Sequence, residues 1–137
     1  MQDENASVLG GVAGHAGVFS SATDMAIFAS ALTQANPVRP DTLEIFRRRE
    51  TFPPGTSRAL GWDTPSSPSQ SGKYFSPNSY GHLGYTGTSL WIDPDRQLST
   101  VLLTNRTWPD CSHQAIKTIR PAFHDAVVEA LKLEANP

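Results

Sequence analysis

The chain is 137 residues long, enough for one domain and short for a complete two-lobed enzyme, since single domains usually run about 100 to 150 residues. Its 11 basic and 13 acidic residues nearly cancel, with 5 basic against 7 acidic up to Gln70 and 6 against 6 beyond it, so neither half seeks nucleic acid or an anionic membrane by charge. Hydrophobic residues make up 38%, beside 10 glycines and 11 prolines, which describes a loop-rich chain with a modest core.

The chain opens with Met1-Gln2-Asp3-Glu4-Asn5, acidic and polar where a secretory signal would be basic and then apolar, and no apolar run approaches the roughly 18 residues that span a bilayer. The expectation is neither export signal nor transmembrane helix, with the compartment left open. Leu9 to Gly17 carries four glycines in nine positions and reads as a loop packed against a ligand or another backbone. Ser21 with Asp24 three residues on resembles a capping box, and Met25, Phe28, Ala29 and Leu32 then follow helical spacing, which predicts a short helix ending before Asn36-Pro37. A second helix is expected from Pro40-Asp41, with Asp41 as N-cap, Glu44 reaching back to it, and Arg47, Arg48 and Arg49 in the last turn.

Pro53 to Ser79 holds five prolines and many serines and reads as irregular loop, broken by a short strand at Ala59 to Asp63. Ser89 to Asp93 and Leu98 to Thr104 are rich in strand formers, and Asp93-Pro94-Asp95-Arg96 supplies turn chemistry between them; Tyr80 to Tyr85 before them is expected as a third strand, joined by Thr86-Gly87. Cys111 is the only cysteine, which excludes an intrachain disulfide and a thiolate metal cluster. Ile116, Ile119, Phe123, Val127, Ala130 and Leu131 keep helical spacing for a closing helix, whose Pro121 either marks the true start or a kink. The predicted fold is α+β: one antiparallel sheet, a three-strand meander plus a short strand, with flanking helices in a single domain over residues 1–137.

Two histidines stand among glycines, in Gly14-His15-Ala16-Gly17 and in Gly81-His82-Leu83-Gly84-Tyr85-Thr86-Gly87. In the second, strand alternation puts His82 and Gly84 on one face, leaving it bare beside an imidazole able to move a proton near neutral pH. A bare strand with free N–H groups can hold a substrate carbonyl and stabilise a developing oxyanion; glycines that merely relieve crowding around a half-buried His82 are the alternative. His113 and His124 read as surface or packing residues, and four scattered histidines without paired ligand spacing argue against a metal site. Ser89, His82 and Asp93 lie along one hairpin segment with nothing to assemble them as a triad.

The string Gly81-His82-Leu83-Gly84-Tyr85-Thr86-Gly87-Thr88-Ser89-Leu90-Trp91-Ile92-Asp93-Pro94, with Val101-Leu102-Leu103-Thr104-Asn105 after it, resembles the C-terminal part of the serine beta-lactamase and penicillin-binding-protein family. Within that family it is most similar to the class C-like branch of esterases, D-amino-acid peptidases and related hydrolases. Gly10 to Ser20 and Asp24-Met25-Ala26 resemble the segment between the family's second and third motifs. The resemblance implies the C-terminal part of a beta-lactamase-like fold, in which His82-Leu83-Gly84 is the third motif. His82 then stands at its lysine position and the Tyr85 N–H is one of two oxyanion donors. Gly14, His15, Thr86 and Gly87 are candidates to line the same cleft, with a structural role in its glycine loop as the alternative for the isolated His15.

The family's nucleophile lies in Ser-x-x-Lys, and no serine of this sequence has a lysine three residues on: Ser69 is four from Lys73 and Ser112 five from Lys117. Ser76-Pro77-Asn78 spells Ser-x-Asn but lies only four residues before His82, whereas the second motif comes well upstream of the third. The chain thus reads as the distal third of a longer hydrolase, without cofactor and inactive alone, because acyl transfer needs nucleophile, base and oxyanion donors together. Leu83 in place of a hydroxyl and His82 in place of an ammonium favour an ester or peptide over a beta-lactam as substrate. Full-length relatives are often cell-envelope or periplasmic proteins. Two other roles remain open: a binding module that forms a homo-oligomer through an exposed strand edge, and a truncated product without a function of its own.

Overall fold

A computed structural model describes residues 3–34 and 38–133. Helix α1 (Glu4–Val8) starts at Asp3, whose carboxylate accepts the Ala6 N–H at 2.8 Å. Helix α2 (Ala22–Thr33) is capped as its sequence predicts: Ser21 Oγ accepts the Asp24 N–H at 3.1 Å and donates to Asp24 Oδ2 at 2.9 Å. Its expected stop at Asn36-Pro37 lies outside the described residues. Ala29 and Leu32 are buried and Met25 packs against them, but Phe28 is 43% exposed. With Ile27 also exposed, α2 is apolar on more sides than the sheet covers, so spacing alone does not say which stripe is buried.

Helix α3 (Pro40–Arg47) has Pro40 at its first position, where a missing N–H and a fixed φ cost nothing. The cap is therefore Arg39, not Asp41. Glu44 reaches forward to accept from Arg47 Nε at 2.7 Å rather than back to Asp41. Arg48 is already extended, and Arg49 has left the helix to donate through Nε to Thr64 Oγ1 at 2.6 Å. The three arginines do not share a last turn.

Residues 48–79 are irregular. The short strand expected at Ala59 to Asp63 contracts to isolated bridges at Asp63: the chain reverses at Gly61, with φ of 80°, so that Asp63 pairs back with Arg58 and is the residue of this stretch that reaches the sheet. It exchanges hydrogen bonds of 2.7 and 2.9 Å with Gly81. Strands β1 (Tyr80–Leu83), β2 (Ser89–Asp93) and β3 (Leu98–Leu102) form the antiparallel meander in the order β1-β2-β3. Tyr80 faces Ile92 and Leu90 faces Val101. Central β2 is buried at every position.

Alternation sends Tyr80, Leu90 and Ile92 to one face, where Ala29 and Leu32 of α2 cover them. Trp91 and Leu98 point to the other face, against Phe75 and Val128 of helix α4 (Ile116–Ala130). The α+β arrangement is therefore a sheet with helices on both sides. Asp93 fixes the β2–β3 turn: fully buried, it accepts from Ser76 N–H at 2.9 Å, Ser76 Oγ at 2.8 Å and Arg96 Nη1 at 3.0 Å. Burial pushes this carboxyl up, but the hydrogen bonds from Ser76 and Arg96 outweigh it and hold the pKa below the ordinary carboxylate value.

Pro121 lies inside α4 rather than at its start. Without an N–H it leaves the Lys117 carbonyl unpaired within the helix, and Gln70 Nε2 fills that vacancy at 3.0 Å. Asp125 one turn on accepts the Lys73 N–H at 2.7 Å, so the serine-rich loop is tied to α4 where the helix lost its own bond. The buried stripe of α4 is Ile116, Arg120, His124 and Val128, rotated from the apolar stripe read in the sequence. Ile119 and Leu131 are half exposed.

Candidate functional site

Strand β1 carries Gly81 because a Cβ there would collide with the Leu90 carbonyl and the Trp91 indole. One edge of β1 pairs with β2. On the other edge Gly81 binds Asp63; two residues on, alternation turns the Leu83 peptide groups to this same edge, where nothing among the described residues pairs with them. His82 is exposed and shares the α2 face with Tyr80. The face beside it is not bare as alternation suggested: Thr88 lies where a Gly84 side chain would be, and a Cβ on Gly84 would collide with its hydroxyl.

The strand ends at Leu83 because Gly84 to Gly87 form a turn. The Gly87 N–H donates to Gly84 O at 3.0 Å, and the Gly84 N–H to Thr88 O at 2.8 Å. Gly87 has φ of 106°, and a Cβ on it would strike the Thr104 hydroxyl, so glycine is required twice over. Two arginines grip this turn. Arg120 is buried and donates from Nη2 to Gly84 O at 2.6 Å and from Nε to Gly87 O at 3.3 Å. Arg106 donates from Nε to Tyr85 O at 2.7 Å and from Nη1 to Cys111 O at 3.0 Å, while its own N–H donates to Thr86 O at 2.8 Å. Its guanidinium also lies 4.5 Å from the centroid of the Tyr85 ring.

Beside the turn is a cavity of about 240 Å³ walled by Leu83, Gly84, Tyr85, Arg106, Lys117 and Arg120 among others, with no carboxylate among the described residues that line it. Burial lowers the Arg120 pKa, and the charge of Arg106 adds to that. The N–H of Tyr85 finds no partner among the described residues, and Tyr85 is 57% exposed. The arrangement can therefore present an uncommitted main-chain donor to a carbonyl or an oxyanion.

Of the residues picked from the sequence, Leu83, Gly84 and Tyr85 border this cavity, and Thr86 and Gly87 supply carbonyls that bind its arginines. Gly14 and His15 are not in its walls; His15 binds Asp3 through Nε2 at 3.2 Å. Ser89 and Asp93 share the α4 side of the sheet while His82 is on the α2 side, so the three form no triad. Ser76 binds Asp93 and Asn78 binds Asp95 at 3.0 Å, which makes both residues of Ser-x-Asn anchors of the β2–β3 turn.

His113 is exposed and His124 is fully buried. The ring of His124 bridges Ser89 Oγ at 3.0 Å and Thr100 Oγ1 at 2.8 Å, tying α4 to β2 and β3. Burial first, then the Arg120 charge, lowers its pKa to about 4. Among the described residues no three His, Cys, Asp or Glu side chains gather to hold a metal, and no helix is long and apolar enough to cross a membrane. Arg106 and Arg120 escaped the sequence reading. The available signal was Arg120 four residues after Ile116 and four before His124, a cation on a helix face that also carries packing residues.

A model of the beta-lactamase family matches residues 2–120. An N-acetylmuramyl-L-alanine amidase of Bacillus subtilis is 40% identical over 105 residues, covering 70% of this chain and 23% of the relative. A putative D-alanyl-D-alanine carboxypeptidase of Salmonella paratyphi B is 36% identical over 107 residues, covering 72% and 24%. Among solved structures, a beta-lactamase from Mycobacterium bovis superposes with a TM-score of 0.71 at 26% identity, over 83% of this chain and 45% of that one. The chain thus spans about a quarter of the length of the curated relatives it matches.

Proposed function

Because the chain belongs to the beta-lactamase family, we propose that it is the C-terminal portion of a serine acyl hydrolase and supplies the substrate-binding strand but not the nucleophile. In this role the outer edge of β1, open at Leu83, takes the substrate main chain as an added strand. His82-Leu83-Gly84 acts as the third motif, and the Tyr85 N–H donates to the oxyanion of the tetrahedral intermediate. The observation that carries this is the Tyr85 N–H: among the described residues it has no partner, and it lies just past the end of a strand whose outer edge pairs with none of them beyond Gly81.

The nucleophile would come from outside this sequence, since none of its serines has a lysine three residues on and a serine hydroxyl needs a neighbouring base to attack. Two relatives are named for cleaving amide bonds. Together with Leu83 and His82 at the third motif, that favours a peptide or ester over a beta-lactam as substrate. The test is hydrolysis of nitrocefin, p-nitrophenyl esters and a D-alanyl-D-alanine peptide by the purified chain. No turnover is expected; turnover lost on replacing one serine of this chain overturns the assignment.

One observation favours a second role. Among the described residues β3 pairs only with β2, so its far edge can add a strand from a partner or a second copy. A defined dimer in size-exclusion chromatography with light scattering supports that role, and a clean monomer argues against it.

A further inference from the structure

A trans peptide unit is planar, with its C=O and N–H pointing in opposite directions. The Tyr85 N–H belongs to the same unit as the Gly84 carbonyl, and that carbonyl is the one Arg120 holds. Gly84 O accepts Arg120 Nη2 at 2.6 Å and the Gly87 N–H at 3.0 Å. With both bonds on one end, the plane of the unit is fixed and its N–H is turned away from them, where no described residue meets it.

A charge-assisted bond to the oxygen also draws electron density from the nitrogen, so the N–H becomes a stronger donor. The cation can do this because it is buried and, among the described residues, no carboxylate competes for it: Arg120 is 6% exposed, its two hydrogen bonds both go to carbonyls of the turn, and its neighbour in the cavity is another arginine. We propose that Arg120 is a positioning residue that orients and polarises the Gly84–Tyr85 peptide so that its N–H serves as the oxyanion donor.

The inference rests on the hydrolase assignment for its chemical meaning, but its physical content is local. Arg106 supplies an internal comparison, because it holds the next carbonyl along, Tyr85 O at 2.7 Å, whose peptide unit carries the Thr86 N–H. Each arginine therefore backs a different amide. A cation on the carbonyl makes the N–H more acidic and speeds base-catalysed exchange with solvent, whereas loosening of the turn cannot slow exchange of an amide that already has no partner among the described residues. A merely structural arginine and a polarising one thus predict opposite signs.

The experiment is amide exchange by NMR on the 137-residue chain and its variants. In Arg120→Gln the Tyr85 amide should exchange roughly tenfold more slowly, the equivalent of about one pH unit of amide acidity, with the Thr86 amide little changed. In Arg106→Gln the pattern should reverse, and Arg120→Lys should restore part of the Tyr85 rate. Unchanged or faster Tyr85 exchange in Arg120→Gln, or equal slowing of both amides by either variant, overturns the inference.

Should Arg120→Gln fail to fold, the wild-type chain suffices: its Tyr85 amide must exchange faster than the same sequence in an unstructured peptide, and a rate at or below that value overturns the inference. In a protein completed with a serine-bearing N-terminal portion, Arg120→Gln should lower kcat and kcat/KM together and leave KM in place. A completed wild type without turnover overturns the hydrolase assignment and leaves the exchange difference standing, so the two failures are told apart.

Discussion

Lowering the pH from 7 to 4.5 should loosen this fold through one side chain, His124. It is fully buried between α4 and the sheet, with Ser89 and Thr100 hydroxyls on its two ring nitrogens, and its pKa is lowered from 6.5 to about 4 by burial and by Arg120. A folded-state pKa below the unfolded one means that the unfolded chain binds the proton first. Stability is then fully present above 6.5, falls as the pH drops through the interval down to about 4, and levels off below it. At about 1.4 kcal/mol for each pH unit, that interval is worth about 3 kcal/mol, a large share of the ~5–15 kcal/mol typical of a domain.

Urea unfolding followed by tryptophan fluorescence, read across pH 7 to 4.5, measures this loss, because Trp91 is buried against Phe75 and reports the α4 side of the core. The His124→Asn variant should be less stable at pH 7 yet have a flatter pH profile, so the two curves converge on acidification. Asp93, whose carboxyl is held below its ordinary 3.8, keeps its contribution at higher pH and loses it only below that value, outside the window. Parallel profiles for wild type and variant would show that His124 takes up its proton as readily folded as unfolded, and the reasoning would be refuted.

Gly81→Val should cost about 1–3 kcal/mol in the urea midpoint, because its Cβ would collide with the Leu90 carbonyl and the Trp91 indole; an unchanged midpoint would contradict the close approach. Asp93→Asn should cost roughly 3–5 kcal/mol, since it leaves the largely buried Arg96 guanidinium without its carboxylate and removes an acceptor for Ser76. Thermal unfolding measures that loss, and a shift within error would show that the β2–β3 turn stands without this anchor.

The meander was legible because two independent signals agreed: strand formers in blocks, and Asp93-Pro94 between the last two blocks. Ser21 marked the start of α2 for the same kind of reason, a cap followed by helical spacing. What failed was the phase of a helix. Apolar spacing pointed to Ile119 and Leu131, yet the buried face of α4 carries Arg120 and His124. Both are polar side chains whose partners, the Gly84 and Gly87 carbonyls and the Ser89 and Thr100 hydroxyls, lie on distant segments. A sequence pattern places such residues in solvent because it cannot show who satisfies them.

The site divides in the same way. Gly84 and Tyr85 were legible as a motif, whereas the arginines that hold their peptide groups come from 21 and 36 residues away. Asp41 and Arg49 were misplaced by assuming that a charged residue near a helix end serves the helix. Pro40 had already taken the first position of α3, and Arg49 had a better acceptor in Thr64.

Covalent labelling locates the nucleophile. The purified chain is treated with a fluorophosphonate and with a fluorescent penicillin, and digests are read by mass spectrometry, alone and after completion with a serine-bearing N-terminal portion of a relative such as the Bacillus subtilis amidase. The expected result is no modified serine within these 137 residues in either case, and in the completed protein an acylated serine in the added portion. A stoichiometrically modified serine inside this chain would contradict the division of labour in which it supplies the strand and the oxyanion donor while the nucleophile lies elsewhere.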